Sequence, residues 1–160
     1  MSEINNIDLK GFVAKILTDV FDTMLSMKIE QMDGSVKGIN GDNQIVGSVG
    51  FAGKVMGNVN ILVSSNFAHL MTAEMLGMEV EEIESEEEVF DVIGELCNMV
   101  GGDLKSRLCD SGFTCDLSIP SVTEGNDLTI ESRGWDRCEC FGFKCRENTA
   151  LVQVYIKTAE

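Results

Sequence analysis

The residues of this chain that could do chemistry fall in two places. One is a stretch of helical periodicity where Asp91, Glu95, Asn98 and Gly102 recur at spacings of four, three and four. At ~100° per residue they form a narrow stripe opposite the apolar arc Val89, Ile93, Leu96, Cys97, Val100 and Leu104. Glu95 and Asn98 then project together toward solvent, one turn apart. A carboxylate accepts hydrogen bonds, and a carboxamide both donates and accepts them. By itself a Glu and an Asn at i, i+3 are ordinary surface decoration. Three glycines, Gly94, Gly101 and Gly102, lie in the same helix. Each costs roughly 0.5–1 kcal/mol relative to alanine in a helix interior. Either another surface approaches closely there, or the helix packs tightly or bends within its own fold.

The other place is the cysteine-rich C-terminal third, with Cys138, Cys140 and Cys145 among six cysteines. A metal or redox role is the sharp reading. The spacing does not match paired C-x-x-C zinc motifs, and the single histidine, His69, is remote in sequence. Cys138 and Cys140 alternate onto one face of a strand, where cysteine serves as a small core hydrophobe. Buried, reduced thiols are therefore expected, with no metal bound by this chain. A lone histidine also leaves no Ser-His-Asp arrangement, and no G-x-x-x-x-G-K-[ST] loop is present.

Composition narrows the class. The 160 residues predict one domain, 1–160, large enough for a real core. Twelve Lys and Arg against 27 Asp and Glu give 12 − 27 = −15, a poor charge for nucleic acid or an anionic membrane. No apolar run approaches the ~20 residues of a membrane span. The start, Met1 to Asn6, has no basic region leading into an apolar stretch, so a cytoplasmic location is expected.

The elements that must position the stripe follow from periodicity. Phe12, Val13, Ile16, Leu17, Val20, Phe21, Met24 and Leu25 predict a first helix with Asp8 as its N-cap. Ile45–Val49 and Val55–Val63 predict two antiparallel strands joined by Phe51-Ala52-Gly53-Lys54, in a region punctuated by glycines from Gly34 to Gly57. A short helix starts at Ser64-Ser65-Asn66 and stops at Gly77, with Phe67, Leu70, Met71 and Met75 on one face. Seven glutamates lie between Glu79 and Glu88, and Ser85 with Glu88 has the capping-box spacing. This opens the stripe-bearing helix, roughly 86–110. Cys115–Ile119, Leu128–Ser132, Cys138–Cys145 and Leu151–Lys157 read as strands. Helices and antiparallel strands segregate, so the class is α+β. A long helix followed by strands occurs twice, and an offset of 75 places Phe21–Leu25 on Leu96–Val100.

Asp91-x-x-x-Glu95-x-x-Asn98, followed by Met99-Val100-Gly101 and later Pro120, resembles the signature of the CheC/CheX/FliY chemotaxis phosphatases. Other segments agree in order: Val20-Phe21-Asp22-Thr23-Met24-Leu25, the hairpin Gly47–Val63, Ala73-Glu74-Met75-Leu76-Gly77, and Ile119-Pro120-Ser121-Val122-Thr123-Glu124-Gly125. One departure is visible: 21 residues separate Asn98 from Pro120, one fewer than the family pattern. Under the offset, Glu95 maps to Val20 and Asn98 to Thr23, so one site is intact, as in the CheX branch.

The resemblance implies a CheC-like fold with a pseudo-twofold repeat. It also implies a hydrolase whose substrate is the aspartyl phosphate of a CheY-type receiver domain, which itself supplies the Mg²⁺. Asn98 would orient the attacking water, as a glutamine does in small GTPases. Glu95 would pair with the receiver's active-site lysine. Asp91 would support the helix or the interface, and Gly102 would face the partner. Met99 and Val92, flanking the stripe, could pack on it. Pro120 would shape its loop. The CheX branch further implies a homodimer formed through sheet strands, with the apolar strand Ala150–Lys157 as the expected edge. The alternative is a non-catalytic dimeric adaptor that binds a receiver without dephosphorylating it.

Overall fold

The computed structural model of the chain describes residues 3–32, 43–126 and 134–158. A first α-helix, α1 (Leu9–Leu25), starts where the Asp8 carboxylate accepts a hydrogen bond from the Gly11 N–H at 3.0 Å, as expected of an N-cap. Strand β1 (Glu30–Gln31) follows, then the long hairpin β2 (Gln44–Gly53) and β3 (Val55–Ser64). Phe51 to Gly53 belong to β2, so the connection is Lys54 alone rather than four residues.

Helix α2 (Ser65–Leu76) is capped by the Ser64 hydroxyl, which accepts from the Phe67 N–H at 3.1 Å, and ends at Gly77 with φ 67°. A left-handed residue of this kind ends a helix at least cost when it is glycine. Helix α3 (Glu86–Asp110) spans the predicted range. Its capping box is absent: the Glu88 carboxylate accepts from the Glu84 N–H at 3.0 Å, one residue before Ser85. Strands β4 (Cys115–Leu117), β5 (Ser121–Gly125), β6 (Arg137–Cys145) and β7 (Asn148–Thr158) complete the chain. The expected strand Leu128–Ser132 lies outside the described residues.

The seven strands of the described residues form one antiparallel sheet in the order β1-β6-β7-β3-β2-β4, with β5 also paired to β2. The α+β reading stands, and so does its repeat. Hairpins β2–β3 and β6–β7 meet along the central β3–β7 ladder, Val55↔Thr158 to Val63↔Ala150. The strand after each long helix crosses to the other half's hairpin: β1 pairs with β6, while β4 and β5 pair with β2.

This order corrects the expected dimer edge. Strand β7 is bonded to β3 on one side and β6 on the other, so it has no free edge for a second chain. Its run of buried Leu151, Val152, Val154, Tyr155 and Ile156 is that of a central strand flanked on both sides by other strands. The helices pack on one another, and α2 and α3 rest on β2 and β3. Phe21 of α1 meets Phe67 of α2 with ring centroids 6.4 Å apart, inside one continuous core.

Candidate functional site

Two glycines decide how α3 sits. A Cβ on Gly47 of β2 would lie 3.0 Å from the Ile93 Cγ2 and 3.3 Å from the Cys97 Cβ. A Cβ on Gly101 would lie 2.5 Å from the Val49 Cγ1 and 3.2 Å from the Leu117 Cδ1. Helix and sheet therefore approach more closely than side chains on both would permit. The arc Val89, Ile93, Leu96, Cys97, Val100 and Leu104 is buried against the sheet, as its periodicity predicts. The stripe is thereby turned the other way.

The three helical glycines separate into different cases. Gly101 is tight packing within the fold. Gly94 is buried but not crowded, its nearest neighbour being the Val122 Cγ2 at 3.6 Å. Gly102 has nothing within 4 Å and lies open on the stripe.

Asp91, Glu95 and Asn98 line one wall of a groove of about 630 Å³. The other wall is the β4–β5 connection: Leu117, Ser118, Ile119, Pro120 and Val122. Phe90 and Gly94 complete it. Three residues along a helix advance about 4.5 Å, so the Glu95 carboxylate and the Asn98 carboxamide stand one above the other in this groove. Glu95 is exposed and Asn98 half-buried. Among the described residues none forms a hydrogen bond or ion pair with either side chain. Their donors and acceptors are open to whatever enters.

The remaining predicted site residues divide. Met99 is half-buried and packs partly on the core. Val92, expected beside it on the partner-facing flank, is 5% exposed and belongs to the core instead. Periodicity places both at the margin of the apolar arc, and the packing of neighbouring elements decides which margin closes. Pro120 lies in the groove wall between β4 and β5, where it shapes the loop.

The groove's second wall was not legible as a site. Strand β5 has a largely polar sequence, Ser-Val-Thr-Glu-Gly, and gains its strand character by pairing with Gln44–Ser48 of β2. The sequence signal pointing there was the segment Ile119–Gly125 with Pro120, which resembles the family motif but has no strand periodicity of its own.

The cysteines divide between buried and exposed positions. Cys97, Cys115 and Cys145 are buried. Burial pushes the Cys97 thiol up to about 12 and the Cys115 thiol up to about 11, so both stay protonated and weakly nucleophilic at neutral pH. Cys138 and Cys140 share one face of β6 as predicted, but that face is exposed. The register of β6 on β7 gives the helix side to Phe141, Phe143 and Cys145. Among the described residues no group of three or more His, Cys, Asp or Glu side chains could hold a metal ion. No helix of the described residues is long and apolar enough to cross a membrane.

The sequence matches the family profile described as Chemotaxis phosphatase CheX over residues 45–144, from β2 to β6. A relative from Thermotoga maritima, CheY-P phosphatase CheX, is 32% identical over 127 residues, covering 76% of this chain and 81% of the relative. The crystal structure of chemotaxis protein CheX from Vibrio vulnificus has a TM-score of 0.80 at 26% identity, covering 94% of this chain and 97% of that one. A CheX–CheY–BeF3–Mg²⁺ complex from Borrelia burgdorferi has a TM-score of 0.69 at 20% identity, covering 94% of this chain and 99% of that one, a likeness of fold. A profile that takes in the whole of α3 and both walls of the groove, together with a relative this similar, places the chain in the chemotaxis phosphatase CheX family and makes it a phosphatase.

Proposed function

We propose that this chain hydrolyses the aspartyl phosphate of a CheY-type receiver domain by inserting Glu95 and Asn98 into the receiver's active site. The observation that carries the proposal is the pairing of these two side chains, without internal partners, in one open groove. The activity named for the Thermotoga relative supports the substrate.

The receiver brings the phosphoryl group and Mg²⁺. Asn98 uses its carboxamide donor and acceptor to hold a water in line with the phosphorus. Water attacks, the bond between phosphorus and the aspartyl oxygen breaks, and the receiver's carboxylate is regenerated as phosphate leaves. Glu95 pairs with the receiver's lysine and aligns the two proteins, a gain in positioning rather than proton transfer. Asp91, Met99 and Gly102 face the receiver, and the open space at Gly102 lets its surface come near. One domain over 1–160, a cytoplasmic location and a homodimer belong to the same proposal, the dimer using an edge other than β7.

Phosphate release from a phosphorylated CheY-type receiver with Mg²⁺ tests it. Asn98→Ala should lower kcat about 10²–10³-fold, as loss of a group acting on the transition state does. Glu95→Ala should raise KM more than it lowers kcat. A wild-type protein that binds the receiver without accelerating release would replace this reading with the adaptor.

A further inference from the structure

Among the described residues Ile119 is 90% exposed, whereas the other exposed large hydrophobic residues range from 39% to 46%. Scattered apolar residues on a surface need no explanation, but this one stands on the rim of the groove. It also stands on a braced loop. The Ser118 N–H donates to the Gly50 carbonyl at 2.8 Å, and the Gly50 N–H donates to the Ser118 hydroxyl at 2.8 Å. Pro120 on its other side restricts Ile119 to extended backbone. Strands β4 and β5, which flank the loop, are both paired to β2. An isoleucine is thus held out into solvent by a loop fixed at both ends.

Charge sharpens the point. The chain carries −15, so its net charge offers no long-range attraction to an acidic surface, and docking on such a surface needs another source of affinity. Apolar burial can supply it: Ile119 with the half-buried Leu117 and Val122 forms an apolar wall opposite Glu95 and Asn98, and the half-buried Phe90 of α3 adds to the groove's apolar lining.

We infer that Ile119 is the apolar anchor that seats the receiver, burying itself against an apolar patch of the receiver's surface beside the phosphorylated aspartate. This rests on the phosphatase reading and adds to it a residue that sets affinity without touching the reacting atoms.

The test titrates a phosphorylated CheY-type receiver against wild type, Ile119→Ala, Ile119→Leu and Asn98→Ala, at low and high salt. Ile119→Ala should raise KM about tenfold, the scale of losing a buried aliphatic side chain, with kcat within about twofold. Ile119→Leu should restore most of the affinity, and the Ile119→Ala effect should persist at high salt, where charge pairing is screened. Thermal midpoints of both Ile119 variants should match wild type, because the side chain is solvent-facing in the free protein. Wild-type turnover with an unchanged KM in Ile119→Ala would overturn the inference and leave the phosphatase reading intact. Phosphate release no faster with wild type than from the phosphorylated receiver alone would overturn the phosphatase reading itself, and the inference with it.

Discussion

Helices α1 and α3 occupy corresponding places in the two halves of the fold, and only α3 carries the proposed pair of Glu95 and Asn98. At the position of Glu95, α1 has Val20, which is 5% exposed and packed in the core. At the position of Asn98 it has Thr23, whose hydroxyl donates to the Asp19 carbonyl at 2.7 Å within its own helix. So α1 spends both positions on itself, one on packing and one on a backbone hydrogen bond. In α3 the same two positions face a groove with no internal partner. Duplication of a scaffold does not duplicate a site, because a site also needs a wall opposite it. After α3 the chain supplies that wall through the braced loop between β4 and β5. Among the described residues, the strand that follows α1 is β1, Glu30–Gln31, which pairs with β6.

The comparison can be broken most forcefully by grafting the pair. Val20→Glu with Thr23→Asn should produce no second site and should lower unfolding free energy by about 3 kcal/mol or more, since Val20 is buried and the new carboxylate has no partner there. Chemical denaturation and phosphate release in an Asn98→Ala background measure the two effects. Recovered turnover at near-native stability would mean that α1 retains a usable groove.

The two adjacent glycines of α3 sharpen it further. Gly101→Ala should destabilise by about 1–2 kcal/mol, because crowding against Val49 and Leu117 exceeds the gain in helix propensity. Gly102→Ala should stabilise by roughly 0.5–1 kcal/mol, because its Cβ meets nothing, yet weaken receiver binding. Melting curves separate the pair. Equal effects would remove the distinction between a glycine for packing and a glycine for approach.

The smallest effect concerns the junction of α2 and α3, where the His69 Nε2 lies 2.7 Å from the Glu86 carboxylate. Burial alone would lower the His69 pKa. The hydrogen bond to the Ser65 carbonyl and the contacts with Glu86 and Glu124 outweigh it and hold the pKa above its ordinary 6.5. A raised folded value means that this stability is complete below about pH 6.5 and is lost as pH rises through the folded pKa. Glu86→Gln should therefore lower the melting point near about pH 6 and much less near about pH 8.5, by well under about 1 kcal/mol for so exposed a pair. An equal loss at both values would show that charge on His69 is irrelevant.

Much of this fold and half of its site can be read from residue order. Asp8, Ser64 and Gly77 mark helix ends because capping is local chemistry, decided by side chains within three residues of the backbone they satisfy. Ser85 and Glu88 show the limit of such signals: the spacing is right, but Glu88 satisfies Glu84 instead. The groove's second wall is legible as the motif Ile119–Gly125 but not as a strand, because the polar β5 is held by its pairing with β2.

The sequence by itself determined the helices, the long hairpin, the stripe of Asp91, Glu95 and Asn98 on one side of α3, and the absence of an equivalent pair in α1. These follow from periodicity and short-range contacts, which a linear order encodes directly. Only the tertiary structure decided that β7 is central, that Cys138 and Cys140 face outward, that Val92 is buried, and that Ile119 stands on a fixed rim opposite Asn98. Each of these depends on strand register and on which distant element arrives alongside. A period of two or of 3.6 specifies that residues share a face, but not what that face will meet.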